Sequence, residues 1–363
     1  MKRVNVSNLV PGMITAEDVY TYGNQLIIPK HTILNDKAIT RLEFYSIMSI
    51  RVEDAPADLP TPAVSASGSS QEIPYSQWVQ SSPEFKKFKQ DYNESVNEFK
   101  NSLNDIVEKG SEINVDEVLH STMDLFQTDG NTFSFFNMMQ NMREYDDMTY
   151  AHSMNVALIS NVLASWLHMP QEDIEMATLC GLFHDIGKLA IPDNIIKKPD
   201  KLTDQEYAIV KKHTIEGYNI LKNKKIHDHI KNTALMHHER CDKGGYPLGI
   251  GADQIDKFAK IVSIADVYDA MTAARVYRGP LCPFSVIEIF EKEGLQKYET
   301  EYILCFLENV VLTYMNNRVR LSNGMEGDIV YINRQILSKP MVKCGDQFID
   351  LSAEKDISII EII

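Results

Sequence analysis

Histidine and aspartate side chains set inside apolar stretches constrain this chain more than any other feature of its sequence. The densest region opens with Gly181-Leu182-Phe183-His184-Asp185-Ile186-Gly187-Lys188, passes His213 and reaches His237-His238-Glu239-Arg240-Cys241-Asp242-Lys243-Gly244-Gly245-Tyr246-Pro247. It closes with Ala265-Asp266-Val267-Tyr268-Asp269, and His152 lies upstream. Together these supply five histidines (His152, His184, His213, His237, His238) and two aspartates (Asp185, Asp266) of the kinds that bind metal. Imidazole with carboxylate suits borderline divalent metals such as iron, manganese, zinc or nickel and speaks against an all-oxygen cage.

Asp266 is the most telling of the set. It interrupts Ile261-Val262-Ser263-Ile264-Ala265, an apolar helical run, where an unpaired carboxylate would cost several kcal/mol. Something cationic is therefore expected against it. Asp266, Asp269, Ala270 and Ala273 stand at i, i+3, i+4 and i+7, which is one helix face. His184 and Asp185 likewise follow Ala177-Thr178-Leu179-Cys180-Gly181-Leu182-Phe183, which reads as a buried helix delivering two polar groups into a core. Any one of these histidines taken alone reads as a hydrogen-bonded core residue. The whole set does not, because each member would then need its own separate partner.

At these residues the chain resembles the HD-GYP subgroup of the HD phosphohydrolase superfamily. The resemblance rests on His184-Asp185 with Gly187-Lys188, then His237-His238-Glu239, then Gly245-Tyr246-Pro247, and covers about 145–290. It implies an all-helical domain with a site of two or three metals, usually iron or manganese, that hydrolyses the bacterial second messenger cyclic di-GMP. Carried over residue by residue, one metal is held by His152, His184, Asp185 and Asp266, and the other by Asp185, His213, His237 and His238. Asp185 then bridges metals roughly 3.5–4 Å apart that share a nucleophilic hydroxide. Lys188, one turn on, is placed to contact a phosphate oxygen as a point charge. Arg275 and Arg278 match family positions that hold the second phosphate or the nucleotide. Gly245, Tyr246 and Pro247 shape a wall associated with substrate or partner recognition. Glu239 and Asp242 suit partners that orient the histidines, and Asp269 does the same or touches substrate. Family members with a third metal carry a glutamate four residues before the first histidine. Met148 stands there, and a thioether is a poor ligand for such cations, so two metals are expected. Asp147 is no substitute, since one residue turns a helical side chain by about 100°.

The rest of the chain frames this domain. Residues 1–54 read as an α+β module: a Gly23-Asn24 turn between strands, a helix capped by Asn35 and a returning strand at Ser49-Ile50-Arg51-Val52. Its opening, Leu9-Val10-Pro11-Gly12-Met13, resembles the small module often found before HD-GYP domains, and a regulatory or interaction role is expected. Residues 55–82 are rich in Pro, Ser and Ala and read as a flexible linker. Phe85, Phe88, Tyr92, Val96, Phe99, Leu103 and Ile106 then recur at spacings of three and four, giving an amphipathic helix of roughly seven turns. Either it packs on its own domain or it dimerises, since Tyr92, Phe99 and Ile106 are also heptad-spaced. Helices continue through a connector (83–142) into the metal domain (143–316), and from 317 to 363 strand-like runs around Asn323-Gly324 predict a small β appendage. The fold class is mainly α, with the α+β module and the β appendage at its two ends.

Among 363 residues, a net charge of −15 disfavours nucleic acid polymers. No apolar run approaches the ~20 residues needed to span a bilayer. The opening residues lack a signal-peptide core, so the cytoplasm is expected. Five cysteines without Cys-x-x-Cys pairing read as reduced thiols rather than disulfides or a zinc ribbon. The expected activity is cleavage of cyclic di-GMP to pGpG, or on to GMP. Two alternatives stand beside it: hydrolysis of another cyclic dinucleotide such as cyclic GMP-AMP, and a non-catalytic receptor of such a ligand. Loss of any motif would have favoured the receptor, and none is lost.

Overall fold

In the computed structural model the described residues are 2–5, 9–10, 12–20, 26–34, 38, 42, 49–53, 83–128, 148–198, 200–273, 279 and 281–363. The chain divides into two compact units, 1–71 and 72–363.

Among the described residues the first unit holds two antiparallel strand pairs. Strand β1 (Lys2–Asn5) pairs with β4 (Ser49–Val52), and β2 (Val19–Tyr20) pairs with β3 (Leu26–Ile28). Val4, Leu9, Val19, Ile28, Leu34, Leu42, Ile50 and Val52 form its core. The pairing of β2 with β3 suits the expected hairpin, whose Gly23-Asn24 turn lies outside the described residues, as do Asn35 and the linker at 55–82.

The second unit begins with α1 (Pro83–Lys109), a 27-residue helix. Phe85, Phe88, Tyr92, Val96, Phe99, Leu103 and Ile106 are all buried in the core of their own unit. Of the two readings of this stripe, packing within the chain is the one seen, and the heptad positions Tyr92, Phe99 and Ile106 are taken up by it. Phe99 meets Phe183 edge-on at 6.0 Å between ring centroids. Next come α2 (Val115–Asp124), α3 (Met148–Trp166) and α4 (Gln171–Phe183). Helices α3 and α4 carry apolar residues around most of their circumference, as central helices do. Val156 through Leu163 on α3 are buried, and so are Ala177 through Phe183 on α4, including Gly181.

Next come α5 (Asp204–Val210), started by a capping box between Thr203 and Glu206, α6 (His213–Leu221) and α7 (Asp228–Met236), with α7 packed on α4 and α6 on α7. The last central helix is α8 (Lys257–Thr272), whose N-cap Asp256 accepts from Phe258 N at 2.9 Å. Helices α9 (Pro283–Ile289) and α10 (Thr300–Leu312) complete the helical layer.

The C-terminal strands β5 (Arg318–Leu321), β6 (Glu326–Tyr331), β7 (Met341–Cys344), β8 (Gln347–Asp350) and β9 (Ile359–Ile362) make one antiparallel sheet of order β8-β7-β6-β5-β9. Gly324, at φ +84°, turns β5 into β6 beside Asn323 as expected. Strand β8, entered through Gly345 at φ +58°, is an element the sequence reading did not list. Val319, Leu321, Ile329 and Val342 are fully buried in the core shared with the helices. Glu291 also binds the sheet side, accepting from Leu337 N at 2.5 Å.

Candidate metal centre

Four helix ends converge on one buried point. Helix α3 delivers His152 from its first turns, and α4 ends at His184. The chain then bends through Asp185, at φ −103° and ψ 9°, into a tight turn at Ile186–Ala190. That bridge-region conformation recurs at active sites. Helix α6 opens with His213, α7 ends into His237 and His238, and the middle of α8 supplies Asp266 and Asp269.

Glycines bring these elements close enough. A Cβ on Gly181 would lie 2.5 Å from Ala157 Cα, so glycine permits α4 to lie against α3. A Cβ on Gly187 would lie 1.9 Å from His213 O and 2.4 Å from Gly217 N, so the turn after Asp185 rests directly on the start of α6. In each case the small residue sets the separation of two metal-binding side chains.

Asp185 is the centre. Its Oδ1 lies 3.3 Å from His213 Nε2 and 3.7 Å from His237 Nε2. Its Oδ2 lies 3.3 Å from His184 Nε2 and 3.5 Å from His152 Nε2. Asp266 Oδ1 stands 3.0 Å from His152 Nε2, and its Oδ2 stands 3.7 Å from His238 Nδ1. Three overlapping groups of candidate ligand atoms result: His152 with His184 and Asp266, His184 with Asp185 and His237, and His213 with His237 and His238, each within 4.8 Å of one another.

The donor set fits divalent cations on two further grounds. His184 Nε2 and Asp185 Oδ1 are buried with no hydrogen-bond partner, an expensive state for polar atoms unless something cationic meets them. The opposite ring nitrogens are already committed. His184 Nδ1 donates to Gly181 O at 2.7 Å, His213 Nδ1 to Val210 O at 2.7 Å and His237 Nδ1 to Thr233 O at 3.0 Å. A carbonyl acceptor requires the proton on Nδ1, which leaves the Nε2 lone pair facing the centre as a ligand needs.

Electrostatics divide the histidines. Burial holds His213 below its ordinary value and His237 far below it, and takes His238 down to about 3. These rings are neutral near pH 7. Burial also opposes charge on His152, but hydrogen bonds to Asp266 and Asp269 outweigh it and raise His152 to about 9. Burial pushes both carboxyls upward, yet Lys188 and the histidines around Asp185, and His152 with its neighbours around Asp266, hold them well below the usual carboxylate range.

The remaining expected residues are distributed unevenly. Lys188 is three-quarters buried in the site and forms an ion pair with Asp185 Oδ2. Tyr246 stacks obliquely on His238, with ring centroids 4.7 Å apart, and Lys211 Nζ lies 5.7 Å from the Tyr246 ring centroid. Arg275 and Arg278 lie outside the described residues, and so does the side chain of Met148.

Some expected roles change. Glu239 does not touch a histidine: its buried carboxylate accepts from Leu248 N at 2.5 Å, Gly249 N at 3.2 Å and Ile250 N at 3.2 Å. It therefore anchors the segment after Pro247. Asp242 binds Arg240 and Gly244 N instead. Asp269, expected behind a histidine or against substrate, is buried behind His152, with Oδ2 2.8 Å from His152 Nδ1. Cys241 belongs to none of the candidate ligand groups among the described residues.

Two residues had no part in the site expected from the sequence. Asn155 Nδ2 donates to Asp269 Oδ1 at 3.2 Å, and Tyr92 on α1 donates to Asn155 Oδ1 at 2.7 Å. Asn155 was detectable as an amide three residues after His152, on the same helix face. Tyr92 gave no local signal, because its contact spans about sixty residues of chain.

This centre is that of an HD domain, and residues 137–301 match the family model described as HD domain. The His-Asp, His-His-Glu and Gly-Tyr-Pro motifs all lie within that stretch. Among its relatives, a cyclic di-GMP phosphodiesterase of Pseudomonas aeruginosa is 34% identical over 204 residues, covering 56% of this chain and 49% of that protein. A cyclic di-GMP phosphodiesterase of Thermotoga maritima is 34% identical over 196 residues, covering 53% of each. A 3'3'-cGAMP-specific phosphodiesterase of Vibrio cholerae is 33% identical over 197 residues, covering 50% of this chain and 38% of that protein. The chain thus spans about half the length, or less, of these relatives. In fold it is similar to an HDG"Y"P protein of Bdellovibrio bacteriovorus, with a TM-score of 0.51, 17% identity, and coverage of 85% of this chain and 99% of that one. Among the described residues no helix is long and apolar enough to cross a membrane.

Proposed function

We propose that this chain is a metal-dependent phosphodiesterase that hydrolyses cyclic di-GMP, opening the ring to pGpG. The observation that carries the reading is the division of Asp185: its two oxygens face two different sets of histidines. On this reading His152, His184, Asp185 and Asp266 hold one cation, and Asp185, His213, His237 and His238 hold the other, both iron or manganese. When bound, the two cations supply the Lewis acidity that activates water and offsets charge on the phosphoryl oxygens. The protein's part is to present Nε2 lone pairs through carbonyl-locked tautomers and to keep both carboxylates ionised. Lys188, once Asp185 is engaged by metal, is free to turn its ammonium toward a phosphate oxygen. Tyr246, with Gly245 and Pro247, offers an aromatic wall beside His238 against which a guanine base stacks.

Relatives of both specificities favour naming a second substrate, 3'3'-cyclic GMP-AMP, since the ligand set is indifferent to the bases. A receptor role for the dinucleotide is the non-enzymatic rival. The five cysteines are free thiols, which supports the cytoplasm as the compartment. Arg275 and Arg278 are assigned to phosphate or nucleotide. The unit at 1–54 and the Gly-Tyr-Pro loop are assigned to partner contacts. A homodimer through 83–109 would have to use the polar face of α1, since its apolar face is buried in its own unit.

The test is anaerobic purification with metal analysis, then assay of the same sample against both dinucleotides with chromatographic separation of products. About two equivalents of iron or manganese together with pGpG support the reading. Metal and tight dinucleotide binding without turnover would make the protein a receptor.

A further inference from the structure

We infer that α1 sets the metal affinity of the His152 position, acting through Tyr92 as a positioning residue. This rests on the proposed metal assignment and extends it to a helix outside residues 137–301, the segment matched by the HD family model.

The contacts form an uninterrupted line from α1 to a metal-binding ring. Tyr92 is buried at 6% exposure, and its hydroxyl reaches Asn155 Oδ1 at 2.7 Å and Ala151 O at 3.2 Å, both on α3. The phenol proton goes to Asn155 Oδ1, the nearer of its two acceptors, so the hydroxyl holds the oxygen end of the amide. The amide nitrogen is thereby turned the other way, where it donates to Asp269 Oδ1 at 3.2 Å. Asp269 in turn keeps Oδ2 on His152 Nδ1 at 2.8 Å. Each link leaves the next group one orientation. The final effect is to hold the His152 ring with Nε2 toward Asp266 and Asp185, at 3.0 and 3.5 Å.

His152 differs from its neighbours in needing this. The rings of His184, His213 and His237 are locked by carbonyls of the helical turn just before them. His152 is locked instead by a side chain on α8 and, behind it, by one on α1. A carbonyl three or four residues back in the chain moves with its histidine, whereas Tyr92 moves with α1. The position of α1 therefore acts on one metal site and not on the other.

The experiment uses the full chain, stripped of metal and titrated with Mn2+ by calorimetry, comparing wild type with Tyr92→Phe. Tyr150→Phe is the control: it also deletes a hydroxyl joining α3 to α1, at 2.8 Å to Asn104 Oδ1, and keeps the bond from Tyr92 to Asn155. A double variant Tyr92→Phe/Asn155→Ala is compared with Asn155→Ala alone. The expected result is a loss of about tenfold in affinity at one of two positions in Tyr92→Phe, the scale typical of partners that orient metal ligands. Tyr150→Phe should match wild type, and adding Tyr92→Phe to Asn155→Ala should change nothing further. Wild-type affinity in Tyr92→Phe, an equal loss in Tyr150→Phe, or losses that add in full in the double variant would each overturn the inference while the metal centre stood. A wild-type chain that takes up no Mn2+ would overturn the proposed function, and the inference with it.

Discussion

Gly187 and Gly217 face each other across the contact between the Asp185 turn and α6, and alanine at each should have opposite consequences. A Cβ on Gly187 would sit 1.9 Å from His213 O, while ordinary contact begins near 3.4 Å, so the surfaces must part by about 3.4 − 1.9 = 1.5 Å. Both obstructing atoms are backbone, and no side chain can swing aside. Since Asp185 Oδ1 and His213 Nε2 are 3.3 Å apart, the same displacement would carry them to roughly 5 Å, beyond the reach of one cation with bonds near 2.0–2.2 Å. Overpacking of this kind costs about 1–3 kcal/mol or more. On Gly217 a Cβ would meet Gly187 N at 3.3 Å and the Ala234 methyl at 3.4 Å, a misfit of a tenth of an ångström. Alanine inside a helix also gains about 0.5–1 kcal/mol over glycine. Chemical denaturation of the metal-free proteins, with metal analysis of the loaded ones, separates the cases. Gly187→Ala should be destabilised and lose the metal held by His213, and Gly217→Ala should keep both metals and gain up to about 1 kcal/mol of stability. Gly187→Ala with wild-type stability and two metals would refute the steric argument.

Other substitutions divide the site by role. Asp185→Ala should deplete both metals and abolish turnover, whereas Lys188→Ala should keep the metals and slow catalysis; equal metal loss in both variants would count against these roles. Metal loading of the His152 position should depend on pH. With His152 raised to about 9, a proton must leave before Nε2 can bind, so affinity should climb from pH 7 to 9 by roughly fiftyfold and level off above that. His238, lowered to about 3, predicts no such climb for its own position, and calorimetry in buffers of different ionisation heat counts the protons released. Glu239→Gln replaces a carboxylate that accepts from Leu248 N, Gly249 N and Ile250 N. Hydrogen bonds to charged groups contribute about 1.5–3 kcal/mol each, so the loop after Pro247 should loosen, raising KM while metal content is unchanged.

The sequence by itself determined the chemistry of the centre. Carboxylates and imidazoles set in apolar runs such as Ile261–Ala265 require cationic partners wherever the helices go, so Asp185, Asp266 and the five histidines stood out before any fold was known. It determined α1 as well, because a seven-residue apolar stripe at helical spacing has one economical conformation, and it pointed to the Asn323-Gly324 turn of the β appendage. Tertiary structure decided which groups meet. Local spacing left Glu239 and Asp242 beside a histidine pair, yet a carboxylate goes to the nearest donors in space, and those were the backbone N–H groups of 248–250 and 244. Spacing also left the α1 stripe free to pack inward or to dimerise, and only the helices it covers settled that it packs inward. The line from Tyr92 through Asn155 and Asp269 to His152 joins three helices from distant parts of the chain. Periodicity reports which face of a helix is buried, but the partner across that face depends on how the whole unit closes.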